Sequence, residues 1–244
     1  MRALIPQAVD DVDLHAHYAA DWLEPGGLRM NFVASADGSA QADGKSAGLQ
    51  TPGDNAVFAA LRDLADVVLV GAGTAVVEGY RPVPISERRA AVRRDFGLSG
   101  ALPVAVTSRT LRLDPTMQLF TGAADNARTI VLTCAAAPVE RIEALRAVAD
   151  VVLCGENAVE PALAQAALVD RGYPRILSEG GPTLFGEFAG AGVVDELCLS
   201  VTPLLAGPGP MRVMAGPAWA ATRPLQLNGL LEEDGALFVR YRVR

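Results

Sequence analysis

The 244-residue chain contains little cysteine and almost no histidine. Its three cysteines, Cys134, Cys154 and Cys198, are widely spaced and form no Cys-x-x-Cys pair, so the sequence indicates neither a structural zinc site nor a disulfide framework. The two histidines, His15 and His17, have no further metal-ligand residues beside them, which favours an exposed loop over a metal site. We therefore expect no metal, and this use of cysteine predicts a reducing, cytoplasmic location.

The chain also lacks a long apolar run and an excess of positive charge. Its uncharged apolar runs, 67–77 and 197–211 among them, are too short to span a bilayer, and residues 1–13 show no signal-peptide pattern. The net charge is −7 without a basic stripe, so neither nucleic acid nor an anionic membrane is an expected partner. Hydrophobic residues make up 50% of the chain and aromatic residues only 5%, so the core must consist mainly of Ala, Val and Leu.

Short apolar segments alternate with segments of helical spacing along the chain. This pattern predicts an α/β fold with a mainly parallel sheet covered on both faces, and a C-terminal hairpin at 224–242 makes the sheet mixed. Residues 1–27 are interpreted as a polar N-terminal extension with one short helix, and residues 28–244 as a single domain. Residues 82–99 are interpreted as a basic loop with a helical turn. Further strands are predicted at 28–35, 67–70, 104–107, 129–133, 151–153, 175–177 and 194–202, and helices at 52–64, 139–148, 160–171 and from Pro182 onward.

The run 176–184 is the most informative segment. An apolar strand ends in Glu179, and Gly180, Gly181, Pro182 and Thr183 follow before Leu184 opens an amphipathic segment. Proline suits the first position of a helix, and the free N–H groups of a helix start attract phosphate. An ordinary strand–turn–helix connection is the alternative for this motif taken alone.

Two other strand ends carry glycine or hydroxyl residues. Gly71, Gly73 and Thr74 follow one predicted strand, and Ser108 and Arg109 follow another. Because ligands of open α/β sheets bind at the carboxyl ends of strands, the three ends together predict a site for one extended anionic cofactor. Arginine beside serine suits a 2′-phosphate, which favours NADPH over NADH. An exposed turn arginine is the alternative for Arg109.

Three familiar motifs are incomplete. Residues 44–48 match G-x-S-x-G, but both histidines precede Ser46, which argues against an α/β-hydrolase triad. The same stretch lacks the first glycine of a P-loop, because Ser39 stands there. After Gly71 and Gly73, the third glycine of the dinucleotide fingerprint is replaced by Val76.

Six motifs occur in order along the chain: 30–38, Gly71-x-Gly-Thr, Thr107-Ser108, 179–184, 194–197 and 202–207. This ordered set resembles the RibD C-terminal domain family, the reductase half of the bacterial riboflavin-biosynthesis deaminase/reductase. The resemblance covers roughly residues 28 to 243, and it looks most like the stand-alone members, since the H-x-E and P-C-x-x-C deaminase motifs are absent.

The resemblance implies a dihydrofolate-reductase-like fold, a homodimer, and reduction by NADPH of the ribosyl chain of 5-amino-6-(5-phosphoribosylamino)uracil. By position, Thr74, Ser108 and the turn from Gly181 to Glu187 would hold NADPH. Ser46, Arg62 and Glu179 would face the substrate. Asp37 or Glu78 could supply the acid that assists opening of the sugar ring.

The sequence departs from the family at substrate positions. Asn31 stands where many members have lysine, and Ile85 stands where an arginine usually helps to hold the substrate phosphate. Arg81, Arg88 or Arg89 could replace that arginine. Two further hypotheses therefore stay open: a reductase of another pterin- or folate-like heterocycle, and a non-catalytic NADPH-binding protein.

Overall fold

The computed structural model describes residues 1–22, 26–208 and 211–244, and these form one sheet with helices on both faces. The strands are β1 (Arg2–Ile5), β2 (Gly27–Ser35), β3 (Val67–Gly71), β4 (Val104–Thr107), β5 (Ile130–Thr133), β6 (Asp150–Leu153), β7 (Arg175–Ser178), β8 (Glu196–Thr202), β9 (Leu225–Glu233) and β10 (Ala236–Val243). The helices are α1 (Leu14–Ala19), α2 (Pro52–Leu64), α3 (Ala72–Val77), α4 (Glu87–Asp95), α5 (Gln118–Thr121), α6 (Val139–Arg146), α7 (Pro161–Val169) and α8 (Pro182–Gly190), and two 3₁₀ turns cover Ser46–Leu49 and Asp125–Ala127.

The strand order explains which loops meet. It runs β1-β9-β10-β8-β2-β7-β3-β4-β5-β6, and the seven strands from β8 to β6 are mutually parallel. Strand β10 pairs antiparallel with β8 and with β9, and β1 pairs antiparallel with β9. The predicted mainly parallel sheet with a C-terminal hairpin is therefore confirmed.

Two apolar clusters cover the two faces of the sheet. Successive residues of β3 belong to different clusters, because side chains of a strand alternate between faces: Val68 and Val70 pack with Leu61 of α2, whereas Val67 and Leu69 pack with α8. Helices α1, α2 and α6 lie with the first cluster, and α7 and α8 lie with the second. The expected three-layer α/β/α arrangement is confirmed.

Helix starts follow the sequence signals closely. Three helices, α2, α7 and α8, begin with proline at the first helical position, where the missing N–H costs nothing. Thr51 caps α2, since its hydroxyl accepts a hydrogen bond from the Asp54 amide at 3.1 Å. The predicted helix 52–64 therefore has the bounds that the cap and proline indicated.

The basic segment 82–99 is more ordered than predicted. It contains the nine-residue helix α4, and Arg93 on that helix is fully buried. The Arg93 guanidinium donates to the carbonyls of Ala65 at 2.6 Å and Ala101 at 2.9 Å, among others. The expectation of a loop with one helical turn was wrong because carbonyls outside the segment, that of Ala65 28 residues away among them, give a buried arginine its partners.

The polar N-terminal segment also contributes to the sheet. Strand β1, which the sequence did not predict, lies at its edge, and the Met1 amino group pairs with Glu233 at 3.0 Å. Helix α1 buries Tyr18, and His15 on the same helix lies 2.9 Å from the Asp63 carboxylate. The exposed loop expected for His15 and His17 is therefore a helix. Residues 23–25, within the expected extension 1–27, lie outside the described residues.

Candidate active site

A cleft of about 1180 Å³ lies where four neighbouring parallel strands end. Strands β2, β7, β3 and β4 are adjacent in the sheet, and parallel strands present their carboxyl ends at the same edge. The cleft exceeds the volume of a typical single-ligand pocket, roughly 300–1,000 Å³, so it has room for a cofactor and a substrate side by side.

The turn after β7 packs so closely against neighbouring residues that its two glycines leave no space for a Cβ. Gly181 of this turn lines the cleft. A Cβ on Gly181 would lie 2.2 Å from the Thr74 hydroxyl oxygen, and a Cβ on Gly180 would lie 2.9 Å from the Phe32 ring. The Gly180–Gly181 peptide is cis, and the Gly71 amide donates to the Gly180 carbonyl at 2.8 Å. The ends of β3 and β7 are thereby held against each other.

Helix α8 starts at this turn with Pro182. The amides of Thr183 and Leu184 occupy the first helical turn, where N–H groups have no partner within the helix. Both residues line the cleft. The helix start therefore offers hydrogen-bond donors, aided by the helix dipole, to an anionic group in the cleft.

The end of β4 supplies a hydroxyl and a cation. The Ser108 hydroxyl accepts from the Leu111 amide at 3.0 Å, so its position is fixed while its own proton stays available. Arg109 is exposed and lines the cleft opposite Glu187 of α8. Burial raises the pKa of the Glu187 carboxyl, and the nearby Arg109 guanidinium opposes this shift.

An ion pair crosses the cleft floor between α2 and the end of β7. Arg62 donates to both carboxylate oxygens of Glu179, at 2.6 and 2.7 Å, and Tyr80 donates its hydroxyl to Glu179 at 2.7 Å. The Arg62 guanidinium also lies over the Phe58 ring, 4.2 Å from its centroid. Burial lowers the pKa of Arg62, but Glu179 outweighs it and the net shift is upward.

Glu78 is held by the loop that precedes α2. Its carboxylate accepts from the Ser46 hydroxyl at 3.2 Å and, at 3.4 Å, from the Ser46 amide. Both residues line the cleft. Glu78 is half-buried and has no cation beside it among the described residues, so it stays open to a ligand in a way that Glu179 does not.

Asp37 lies outside the cleft lining. Its carboxylate accepts from Ser35 and from the backbone amides of Ala206, at 3.1 Å, and Gly207, at 2.8 Å. These hydrogen bonds, first that of Ser35, lower the pKa of Asp37. Asp37 thus anchors a rim loop, and the structure does not bring it to the cleft as it does Glu78.

Most predicted site residues do line this one cleft. Gly180 is not among the lining residues, and Arg88 and Arg89, considered as phosphate ligands, instead bind Asp63, at 3.2 and 2.6 Å. The predicted residues that line the cleft are Asn31, Ser46, Arg62, Gly71, Gly73, Thr74, Glu78, Arg81, Ser108, Arg109, Glu179, Gly181, Pro182, Thr183 and Leu184.

Asp54, Phe58 and Tyr80 are among the cleft residues that sequence reasoning missed. Asp54, Phe58 and Arg62 follow one another at intervals of four residues on α2, so their side chains lie along one face of the helix. That spacing was the available signal for Phe58, at i−4 from Arg62. Tyr80 carried no signal, because its partner Glu179 is 99 residues away in the sequence.

Comparison with known proteins decides the family. The family model of the RibD C-terminal domain matches residues 27–230. The chain belongs to the RibD C-terminal domain family. The resemblance drawn from the sequence motifs is thus confirmed, and the matched region contains every residue that lines the cleft.

Curated relatives and a solved structure are consistent with this family. The chain is 30% identical over 180 residues to the 2,5-diamino-6-ribosylamino-4(3H)-pyrimidinone 5′-phosphate reductase of Archaeoglobus fulgidus, covering 73% of this chain and 80% of that one. It is 28% identical to the reductase of the same name from Methanothermobacter thermautotrophicus, covering 72% and 73%. A crystal structure of a pyrimidine reductase-like protein from Corynebacterium diphtheriae superposes with a TM-score of 0.85 at 27% identity, covering 96% of this chain and 99% of that one.

The described residues contain neither a metal-binding cluster nor a helix able to cross a membrane. No group of three or more His, Cys, Asp or Glu side chains is arranged to hold a metal ion in the ranges 1–22, 26–208 and 211–244. Within those ranges no helix combines the length and the apolar character that crossing a bilayer requires.

Proposed function

We propose that this member of the RibD C-terminal domain family is an NADPH-dependent reductase that converts the ribosyl chain of a phosphoribosylaminopyrimidine to a ribityl chain. The uracil expected from the sequence and the diaminopyrimidinone named for the relatives share this 6-ribosylamino group. The observation that carries the proposal is the convergence of the β7, β3 and β4 ends on one cleft, beside a helix start that can bind phosphate.

The residues present suit the coenzyme. A Cβ on Gly181 would collide with the Thr74 hydroxyl, so the glycine lets this hydroxyl lie against the turn, beside the amides that would bind the coenzyme. The amides of Thr183 and Leu184 would bind the pyrophosphate, with Gly71 and Gly73 lining the approach. Bound there, NADPH would supply the hydride.

Glu78 is the acid that we assign to the chemistry. Opening of the ribose ring at C1′ needs a proton on the ring oxygen, and a half-buried carboxyl at the cleft can hold one. Ser46 orients this carboxyl through its hydroxyl at 3.2 Å. Glu179 is unsuited to the same task, since both of its oxygens are bound to Arg62.

The substrate phosphate needs a cation, and Arg81 is the candidate. Arg81 is exposed, lines the cleft, and makes no ion pair with the described residues. Asn31 would contact the heterocycle from β2. Glu179 and Arg62 would shape the pocket floor between them, with the guanidinium fixed by its two hydrogen bonds.

Selectivity for NADPH gives a direct test. Ser108→Ala and Arg109→Ala should each weaken NADPH binding while leaving NADH binding nearly unchanged, since only NADPH carries the 2′-phosphate. Loss of a charge-assisted hydrogen bond from Arg109 should cost about 1.5–3 kcal/mol, or roughly 10- to 100-fold in Kd. Isothermal titration with both nucleotides measures this. Equal loss for both nucleotides would show that these residues do not read the 2′-phosphate.

The assembly and location belong to the same proposal. The homodimer is supported by exposed leucines on β9 and in the 203–208 loop, with Leu205 at 83% and Leu225 at 44% exposure, and sedimentation equilibrium would reject it by returning the mass of one chain. The cytoplasmic location is supported by three buried, unpaired cysteines. Fractionation of cells expressing the native gene checks it.

A further inference from the structure

One buried carboxyl of the cleft has no assigned task. Asp54, in the first turn of α2, is only 5% exposed yet lines the cleft. No Lys, Arg or His side chain of the described residues pairs with it, and its side-chain partner is the Ser200 hydroxyl. A buried carboxylate without a cation is costly, so such a group is retained where a ligand can supply donors.

A second acceptor without a partner lies in the same wall. Asn31 is 8% exposed and lines the cleft, and its Oδ1 accepts no hydrogen bond from the described residues. Strand β8 pairs Ser200 with Val33, and Asn31 lies two residues before Val33, so both Asn31 and Ser200 are on the sheet face toward α2. Asp54 and Asn31 therefore border one part of the cleft.

The chemistry of these two groups describes their occupant. A carboxylate and an unpaired amide oxygen both accept hydrogen bonds, so the ligand should present N–H or O–H donors to them. A carboxylate binds two parallel donors best when they lie on one planar edge, as in an amidine or guanidine. The Phe58 ring beside Asp54 on α2 suits a flat heterocycle.

We propose that Asp54 determines substrate specificity by accepting hydrogen bonds from the ring N3–H and the exocyclic amine of a 2-amino-4-oxopyrimidine, with Asn31 accepting a further N–H. This inference rests on the proposed reductase function and narrows its substrate. A uracil ring carries a carbonyl oxygen at the same position, which would face the carboxylate acceptor to acceptor. The site therefore takes the 2-amino compound and rejects its 2-oxo counterpart.

The state of the carboxyl agrees with this assignment. Burial raises the pKa of Asp54, and the hydrogen bond from Ser200 offsets the shift only in part. The ionised form is thus poorly supported in the free protein. Two donors from a ligand edge would supply the missing support, as a buried carboxylate requires.

Asp54→Asn is the decisive variant, because the amide keeps the size of the side chain and removes its charge. Initial rates of NADPH oxidation should be measured for the 2,5-diamino-6-ribosylamino-pyrimidinone 5′-phosphate and for its uracil counterpart. Wild type should favour the 2-amino compound in kcat/KM by at least about 100-fold, since a site built to bind a donor rejects an analogue lacking it. Asp54→Asn should lower this ratio at least roughly tenfold.

Asn55→Asp is the matched control, since it adds a carboxylate one residue along the same helix at an exposed position. It should leave the ratio unchanged. Thermal unfolding of Asp54→Asn should show no loss of stability, because a neutral amide costs less to bury than this carboxyl. A ratio that stays within about twofold in Asp54→Asn would overturn the assignment while the reductase function stands.

If neither substrate is reduced, ligand binding still tests the role of Asp54 separately from the reductase function. The probes are 2,6-diaminopyrimidin-4-one and 6-aminouracil, which differ at ring position 2, titrated into the full chain with NADPH present. Preference for the diamino probe that Asp54→Asn abolishes would uphold the role of Asp54 even if neither phosphate substrate is reduced. Equal binding of both probes to wild type would overturn it.

Discussion

The ion pair between Arg62 and Glu179 lends itself to a quantitative test, because the two partners differ in exposure. The Glu179 side chain is 2% exposed and the Arg62 side chain 20%. Arg62→Met would leave the carboxylate buried with Tyr80 as its remaining side-chain donor, and removal of one partner of a buried pair typically costs about 3–5 kcal/mol. Glu179→Gln would leave a guanidinium that can reach water, so it should cost less, about 1.5–3 kcal/mol.

A double-mutant cycle isolates the interaction itself. The coupling free energy between Arg62→Met and Glu179→Gln should be about 2 kcal/mol or more, as expected for two charge-assisted hydrogen bonds in one buried pair. Urea unfolding followed by circular dichroism measures each free energy of unfolding. For a chain of this size, Arg62→Met should also lower the Tm by roughly 10 °C.

An exposed pair in the same chain serves as the control. Arg146 and Glu143 form an i,i+3 pair on α6, with side chains 51% and 60% exposed. Its coupling should be about 0.5 kcal/mol or less, because water screens the charges. If the Arg62–Glu179 coupling is no larger than this, the pair does not hold the end of β7 against α2, and the description of the cleft floor is wrong.

Two further predictions concern the stability contributed by His17 and the binding of NADPH at the glycine turn. Burial, then Arg240 and Arg29, lower the pKa of His17 from 6.5 to about 4. Between these values the unfolded chain binds a proton that the folded chain does not, so stability should fall by about 2 kcal/mol, discounted for partial exposure, as the pH drops from 6.5 to 4. Urea unfolding should show that His17→Gln removes this part of the loss, and an unchanged pH dependence would contradict it. Gly181→Ala should weaken NADPH binding in a titration, because its Cβ would lie 2.2 Å from the Thr74 hydroxyl. Adding Thr74→Ser should not restore the affinity, since serine keeps the hydroxyl. Normal affinity of Gly181→Ala for NADPH would refute the close approach of Gly181 to Thr74.

Local sequence signals were enough to predict most of the helices and strands, but not β1 or α4. The helix at 52–64 and the strand at 67–70 depend on patterns among neighbouring residues, and both were predicted correctly. Strand β1 was missed because its four residues are stabilised by pairing with β9, more than 200 residues away. Helix α4 was misjudged for the same reason: the burial of Arg93 depends on carbonyls from other segments.

The cleft residues also differ in whether neighbouring or distant parts of the chain determine them. The glycine turn and the Ser108–Arg109 pair were visible because each is contiguous in the sequence, and the strand order brings them together. Asp37 and Glu78 looked equally suited to acid chemistry, since both are acidic residues in loops. What distinguishes them is the rim loop at Ala206 and Gly207, which takes up the Asp37 carboxylate and which no local pattern connects to it.

The central claim is that the cleft brings NADPH and a ribosylaminopyrimidine together for hydride transfer. NADPH carrying deuterium at the transferred position, incubated with the full chain and the 5′-phosphate substrate, tests this most directly. The expected result is a ribityl product with one deuterium at C1′, seen by mass spectrometry and NMR. Deuterium in the heterocyclic ring, or nucleotide left unoxidised with both the diamino and the uracil substrates, would contradict it.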